Sequence, residues 1–474
     1  MGKFRSLISN TLIFAVATLS SKLLTFLLLP LLTYILPPEQ LSSATNAMYT
    51  CNLILPVMYL CISEAIIRFG LDPVVNRRDL FTCGVLTVLG GFIVVQLVFP
   101  LIGGTTFAQG FIEGYEGLVR VYVLTSAMRT VVTHFVRASG LVRIFALDGL
   151  LTTIFTLVFV YLFLLKFEMG GRGYVLATIC ADALSSITLI VFLRLYRFIK
   201  LRGLDLSLWK TMLRYSIPLV PTAVFWWVTN LSDRYFVTLM CGKAINGLYD
   251  ASARFPTIIT MVSAIFTQAW QISAFNEYQS KEGEKFYSTV FRSYYTFVFL
   301  AASGIIMLIR PVTKLMMESR YYDSWQYAPF LVLAVSFSCF VTFLGTIYNA
   351  AKKNAMVTIT TAIGAVLNIV LNWRLIPHYG AQGAAFATFV SYFLVFAIRA
   401  FDTRKYIKIQ MQPARIVMSL ALLLAQVWVS LTQPPYGMIW QVLIFVLLLL
   451  CNLGYVIFVA RHFLGMFTRR FKKA

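Results

Sequence analysis

Long apolar runs alternate with short polar gaps from one end of this chain to the other. A helix needs about 20 apolar residues to cross a bilayer, and about fourteen runs qualify. The first six lie roughly at 8–36, 41–67, 80–102, 117–138, 144–165 and 172–196. Six more lie roughly at 211–239, 245–275, 289–309, 325–350, 354–376 and 380–402, and two follow at 412–431 and 437–460. The pattern predicts an all-α integral membrane protein with about 14 transmembrane helices. The longest gaps, near 194–210 and 276–292, are too short for a soluble catalytic domain.

Composition agrees. The 474 residues are 59% hydrophobic and 12% charged, with a mean hydropathy of +0.80, whereas a soluble domain carries about 25% charge. The net charge of +22 sits in short clusters between apolar runs, which fits a bilayer and not a nucleic acid. Apolar character from Leu7 to Leu36 is too long for a signal-peptide core and reads as the first span. The seven cysteines are scattered, with no CxxC pair, and imply neither disulfides nor metal. With the N-terminus inside, about 28 basic residues fall in loops on that side and about 8 on the other, which predicts that both termini are cytoplasmic. The basic stretch 194–214 reads as an ordinary inside loop or as one lying on the anionic membrane surface.

The chain also repeats itself at an offset near 210. Gly170-Gly171-Arg172-Gly173 with Ala177-Thr178 matches Gly380-Ala381-Gln382-Gly383 with Ala387-Thr388, Pro100 matches Pro311, and Arg137-Ala138-Ser139 falls opposite Tyr348-Asn349-Ala350. An even number of helices per repeat makes the copies parallel, with a substrate site between the halves. The expected organisation is a six-helix lobe at 1–200, a second at 201–408, and two further helices with a basic tail at 409–474.

Polar residues enter several spans. Thr11, Thr18, Lys22 and Thr25 share one face of the first, and moving by 211 lands on Thr222, Thr229 and Asp233 of the seventh, with Asn230 and Arg234 beside them. Lys22, Arg129, Asp182, Asp233, Arg234 and Arg254 would together cost on the order of 15 kcal/mol against lipid, so they must pair or line a hydrated cavity. Asp250 with Arg254, and Glu64 with Arg68, are spaced as i,i+4 pairs. Lys22, Arg129 and Arg234 have no such local partner, Asp233 being placed elsewhere on the helix than Arg234. Three free cations suit an anionic head group such as a pyrophosphate. The open alternative is a lock in which Lys22 faces Asp233. Thr257, Gln268 and Gln271 form a row on the face of Arg254 that suits sugar hydroxyls. The candidate substrate-binding residues are therefore Lys22, Arg129, Asn230, Asp233, Arg234, Arg254, Gln268 and Gln271. No P-loop, HExxH or Cys/His cluster occurs, so neither an enzyme nor a cofactor is expected.

The segment from Pro218 to Tyr278 resembles the Wzx-like oligosaccharide flippases of the multidrug/oligosaccharidyl-lipid/polysaccharide exporter (MOP) superfamily. The residues that carry the resemblance are Pro218-Leu219-Val220-Pro221, Trp226-Trp227, Ser232-Asp233-Arg234-Tyr235, Asn246-Gly247-Leu248-Tyr249 and Gln268-Ala269-Trp270-Gln271. A second stretch includes Gly364-Ala365, Asn368, Asn372, Leu375-Ile376-Pro377 and Gly383-Ala384-Ala385-Phe386-Ala387-Thr388. The resemblance implies a MATE-like fold of two lobes around a V-shaped cavity. It also implies ATP-independent alternating access that moves an undecaprenyl-diphosphate-linked oligosaccharide from the inner to the outer leaflet. Basic cavity residues are a feature of such proteins, and Lys22 and Arg234 stand where they are expected. The implied setting is the bacterial cytoplasmic membrane, with membrane lipids, a polysaccharide polymerase and glycosyltransferases as partners and no nucleic acid. The competing readings are a lipid II flippase, a drug/cation antiporter of the same superfamily, whose cavity should be acidic, and a membrane glycosyltransferase, which would need a large outer loop.

Overall fold

The computed structural model describes residues 28–72, 74–103, 111–200, 202–278, 282–351 and 353–457. Lys22 and the rest of the polar face on the first span lie outside them. Among the described residues every regular element is a helix. The chain divides into two compact units between Asp250 and Ala251.

In the first unit, α1 (28–35) leads into α2 (Pro38–Met58) and α3 (Ile62–Gly70), followed by α4 (Arg77–Gly103), α5 (Glu116–Ala138), α6 (Val142–Val160) and α7 (Gly170–Phe192). Next come α8 (Leu206–Ser216), α9 (Val220–Cys241) and α10 (Lys243–Ser252), the last of which ends just past the division. In the second unit, α11 (Thr257–Glu277), α12 (Gly283–Met316) and α13 (Ala328–Ala350) precede α14 (Asn354–Asp402), α15 (Pro413–Thr432) and α16 (Gly437–Cys451).

Among the described residues seven helices are long and apolar enough to cross a membrane, and the bent pair α2–α3 adds up to one more. One of the seven covers two expected spans. At 49 residues α14 would be about 74 Å long if straight, against a hydrocarbon core of about 30 Å. It breaks at Gly380, whose φ of 57° and ψ of −146° are not helical. Gly170, its match in the first repeat, opens α7 with φ 58°. Both sit in the left-handed region that a side chain disfavours.

Three spans expected to be continuous are interrupted. The second bends by 55° between α2 and α3, where Leu60 and Cys61 both take φ of 51°. The seventh opens only at Val220: Pro218 lies in the 3₁₀ turn Ile217–Leu219 that separates α8 from α9, and Pro221 sits in the first turn of α9, where a missing N–H costs nothing. The eighth stops at Ser252 and resumes at Thr257 after Pro256, because the residue before a proline disfavours helix. The expected i,i+4 pair of Asp250 and Arg254 therefore does not share a helix. Nor do Glu64 and Arg68 form an ion pair among the described residues.

Two helices of crossing length fall outside the seven and carry charge at their middle: α5, with 23 residues, and α9, with 22. At 1.5 Å per residue each still spans about 33 Å. They are the helices that carry Arg129 and Arg234. The basic stretch after α7 is held against α4. The Thr82 hydroxyl donates to the Phe198 carbonyl and accepts from the Lys200 amide, Lys200 approaches Asp79 at 3.7 Å, and Trp209 of α8 donates to Thr87. Asp205 caps α8 by accepting from the amides of Leu208 and Ser207, and these bonds, with that of the Ser207 hydroxyl, hold its carboxyl below the usual range.

The core of the second unit is aromatic. Trp270 stacks on Phe343 at 4.4 Å and donates from Nε1 to Thr346, while Phe266 stacks on Tyr294 at 4.1 Å. Phe291, Phe337, Phe340 and Phe396 continue the cluster around α13, the most deeply buried of the crossing helices. Trp270 is thus a packing residue of the Gln268–Gln271 motif.

Candidate functional site

Two buried polar networks occupy the first unit, and they share no residue. The larger joins α2 to α9 and α10. Asp233 and Arg234 lie on α9, one turn beyond Asn230. Adjacent residues on a helix do not face each other, yet the Arg234 side chain is long enough to fold back. Its Nη1 donates to Asp233 Oδ1 at 2.6 Å and to the Asn230 carbonyl at 2.8 Å, and its Nε donates to Asp250 Oδ1 at 3.2 Å. The rings of Tyr49 and Tyr249 each lie 5.5 Å from the guanidinium carbon, close enough for cation–π attraction.

Hydroxyls satisfy the remaining carboxylate oxygens. Tyr249 donates to Asp233 Oδ2 at 2.6 Å, Thr45 donates to Asp250 Oδ2 at 2.5 Å, and Tyr49 donates to Asp250 Oδ1 at 3.0 Å. Neutral hydrogen bonds extend the seam in both directions. Asn246 donates to Ser42 and Asn46, Asn46 donates to Thr238, the hydroxyls of Thr50 and Tyr235 meet at 2.5 Å, and Trp227 donates to the Tyr49 carbonyl. The helices come very close here: a Cβ on Gly247 would lie 2.1 Å from the Pro38 carbonyl oxygen. Asn246-Gly247-Leu248-Tyr249 is therefore a docking motif for α2.

The second network is centred on Arg129 of α5. Its Nη2 lies 3.4 Å from Asp148 Oδ2 and its Nη1 lies 3.3 Å from Asp182 Oδ1. Nη2 also donates to Thr152, Nε donates to Ser185, and Ser185 donates to Asp148 at 2.5 Å. Asp148 and Thr152 share a face of α6 by i,i+4 spacing, and Asp182 and Ser185 share one of α7 by i,i+3.

The expectation that Arg129 and Arg234 are free cations is thereby overturned. Each is bound by two buried aspartates, and when all groups are ionised each trio carries one positive and two negative charges. Removing a guanidinium from water costs several kcal/mol unless opposite charge meets it, and the fold supplies that charge from within. Asp233, expected to point away, is a direct ligand of Arg234. Asp250, which the spacing assigned to Arg254, joins this network instead.

The other candidates are dispersed. Asn230 donates to the Trp226 carbonyl of its own helix. Arg254 lies half-buried in the turn before α11, and Gln271 is exposed. Lys22 and the side chain of Gln268 lie outside what is described. Sequence reasoning missed Tyr49, Thr45, Tyr249 and Asp148 as network members. Only Asp148 left a signal, in its i,i+4 relation to Thr152.

The sequence over residues 7–271 matches the family described as polysaccharide biosynthesis protein. No curated protein matches the chain. Among solved structures, the lipid II flippase MurJ in an inward closed conformation superposes with a TM-score of 0.72 at 14% identity, covering 96% of this chain and 100% of that one. A mutant of the MATE transporter VcmN from Vibrio cholerae gives 0.60 at 16% identity, covering 85% and 98%. A MOP superfamily transporter from Pyrococcus furiosus gives 0.57 at 15%, covering 83% and 95%. At such identities the likeness is one of fold, the MATE-like fold that the sequence resemblance implies. With the family match extending over more than half of its length, the chain belongs to the polysaccharide biosynthesis protein family.

Proposed function

We propose that the protein moves an undecaprenyl-diphosphate-linked oligosaccharide from the cytoplasmic to the outer leaflet of the bacterial cytoplasmic membrane, by alternating access and without ATP. The observation that carries the substrate class is the family match over residues 7–271, and the whole-length likeness of fold to a lipid II flippase supports it. In this reading the repeats 1–200 and 201–408 are the moving lobes, both termini are cytoplasmic, and glycosyltransferases and a polymerase act before and after the transporter.

The networks refine the roles of the charged residues. Since α2 belongs to the first repeat and α9–α10 to the second, the Arg234–Asp250 seam is the contact that opens and closes. On the sequence pattern, Lys22, Gln268, Gln271 and Arg254 are assigned to the substrate. A ligand moves such an equilibrium only through unequal affinity for its two states. A diphosphate that competes with Asp233 or Asp250 for Arg234 supplies that inequality.

Reconstitution in liposomes tests the proposal. An undecaprenyl-diphosphate-linked disaccharide is placed in the inner leaflet, and its appearance outside is followed by periodate oxidation of the sugar. Purified protein should speed that appearance well beyond protein-free liposomes, with no nucleotide present. Absence of transfer, together with ion-gradient-driven movement of the cation tetraphenylphosphonium, would establish an antiporter instead.

A further inference from the structure

A cavity of about 330 Å³ in the second unit lies apart from both networks, between the last turns of α12, the 3₁₀ segment Ser319–Gln326 and the turn joining α15 to α16. Arg310 and Lys314 line it from one face of α12, four residues apart. Like charges at that spacing repel, and among the described residues neither forms an ion pair. The Arg310 guanidinium lies 4.8 Å from the centre of the Trp325 ring, and its buried Nε has no hydrogen-bond partner. Gln441 lines the cavity from α16 and is only 6% exposed. It donates to the Gln426 carbonyl at 3.1 Å, but its buried Oε1 accepts from nothing. Met307 and Met438 give the remaining wall an apolar surface.

The cavity therefore offers cationic donors at one side, an unmet acceptor at another, and apolar contact between them. Its depth in the membrane is set by two features. With 34 residues α12 is about 50 Å long, so its last turns pass the end of the roughly 30 Å hydrocarbon core. Around the cavity Trp428, Tyr436 and Trp440 are all exposed, and such rings collect at the level of lipid head groups.

We propose that this cavity binds the head group of an anionic membrane lipid, a phosphate diester that also carries a hydroxyl. The phosphate oxygens accept from Arg310 and Lys314, a planar fork and a flexible point charge that suit one phosphate together. The head-group hydroxyl donates to Gln441 Oε1. The acyl chains leave past Met438 along the exposed apolar face of α16. The bound lipid holds the α15–α16 hairpin against α12. This site needs only the membrane setting and is independent of which substrate the transporter moves.

Native mass spectrometry of the full-length protein, with a thermal melt in detergent, tests it with phosphatidylglycerol, phosphatidylcholine and inorganic phosphate as separate additions. Phosphatidylglycerol should be retained and should raise the melting temperature, and the other two should do neither. Lys314→Glu alters an exposed side chain and leaves packing intact. Because reversing a basic side chain near anionic lipid both removes an attraction and adds a repulsion, it should lower phosphatidylglycerol retention about thirtyfold. Arg310→Gln, which only neutralises a charge, should lower it about fivefold, and Arg310→Lys should restore part of the loss. Gln441→Leu should erase any preference for phosphatidylglycerol over phosphatidic acid, which lacks the hydroxyl. Equal retention by the parent and Lys314→Glu overturns the proposal, and so does a melting shift with inorganic phosphate equal to that with phosphatidylglycerol.

Discussion

Before residue 251 the described chain buries Asp79, Asp148, Asp182, Asp233, Arg234 and Asp250, and beyond it buries a single charged side chain, Arg399. The two regions also treat a buried guanidinium differently. Arg234 is met by two carboxylates. Arg399, near the C-terminal end of α14, donates to the carbonyls of Val341 and Val357 and to the hydroxyls of Thr360 and Thr361, all of them neutral acceptors. Around it the second unit is packed with stacked rings. Charges held by countercharges can exchange partners, since another anion or hydroxyl can take each place. Rings and fixed carbonyls offer no second arrangement of similar energy. The first unit thus carries the material for a switch, and the second that for a rigid body.

The contrast can be broken most severely at Arg234. Arg234→Met leaves Asp233 and Asp250 buried with no cation, and losing one partner of a buried pair costs about 3–5 kcal/mol. The melting temperature in detergent should fall sharply, and adding Asp233→Asn and Asp250→Asn should recover much of the loss. An unchanged melt for the single variant would show that the seam bears no load. A smaller effect is expected in the aromatic core. Thr346→Val removes the acceptor of the buried Trp270 N–H, a loss of about 1–3 kcal/mol, with no rescue from any change of charge. A shift in tryptophan emission should accompany the lowered melt, and its absence would place that N–H in other company. The least effect belongs to the surface. Lys405 is exposed and pairs with Asp402 at 2.7 Å, so Lys405→Ala should leave the melt unmoved, because solvent screens such pairs.

The helices were legible in the sequence because their signal is local: about 20 apolar residues must follow one another. The expected fifth, sixth, tenth and thirteenth spans coincide with α6, α7, α13 and α15 to within a few residues. The pairings were not legible, since each joins distant segments. Arg129 meets Asp148 and Asp182 across three helices, and Asp250 meets Thr45 across most of the first unit. Helical spacing sees only i,i+3 and i,i+4, so it assigned Asp250 to Arg254 and left Arg234 free. The interruptions near Pro218 and Pro256 follow from the prolines themselves. The bend at Leu60 and Cys61 does not, because it falls past Pro56 at residues with no turn-forming character.

The polarity of α9 has a consequence for how the protein is made. A segment carrying Asp233 and Arg234 at its middle, and falling short of the apolarity of the crossing helices, gains little by entering lipid alone. Its countercharge Asp250 and the Tyr249 hydroxyl emerge from the ribosome only after it, while Tyr49 and Thr45 of α2 have been waiting since early in synthesis. Asp233 meets Arg234 within α9 itself, but the second carboxylate and the Tyr249 hydroxyl come with α10, so insertion of α9 and α10 together, as a hairpin against α2, carries the lower cost of burying these charges.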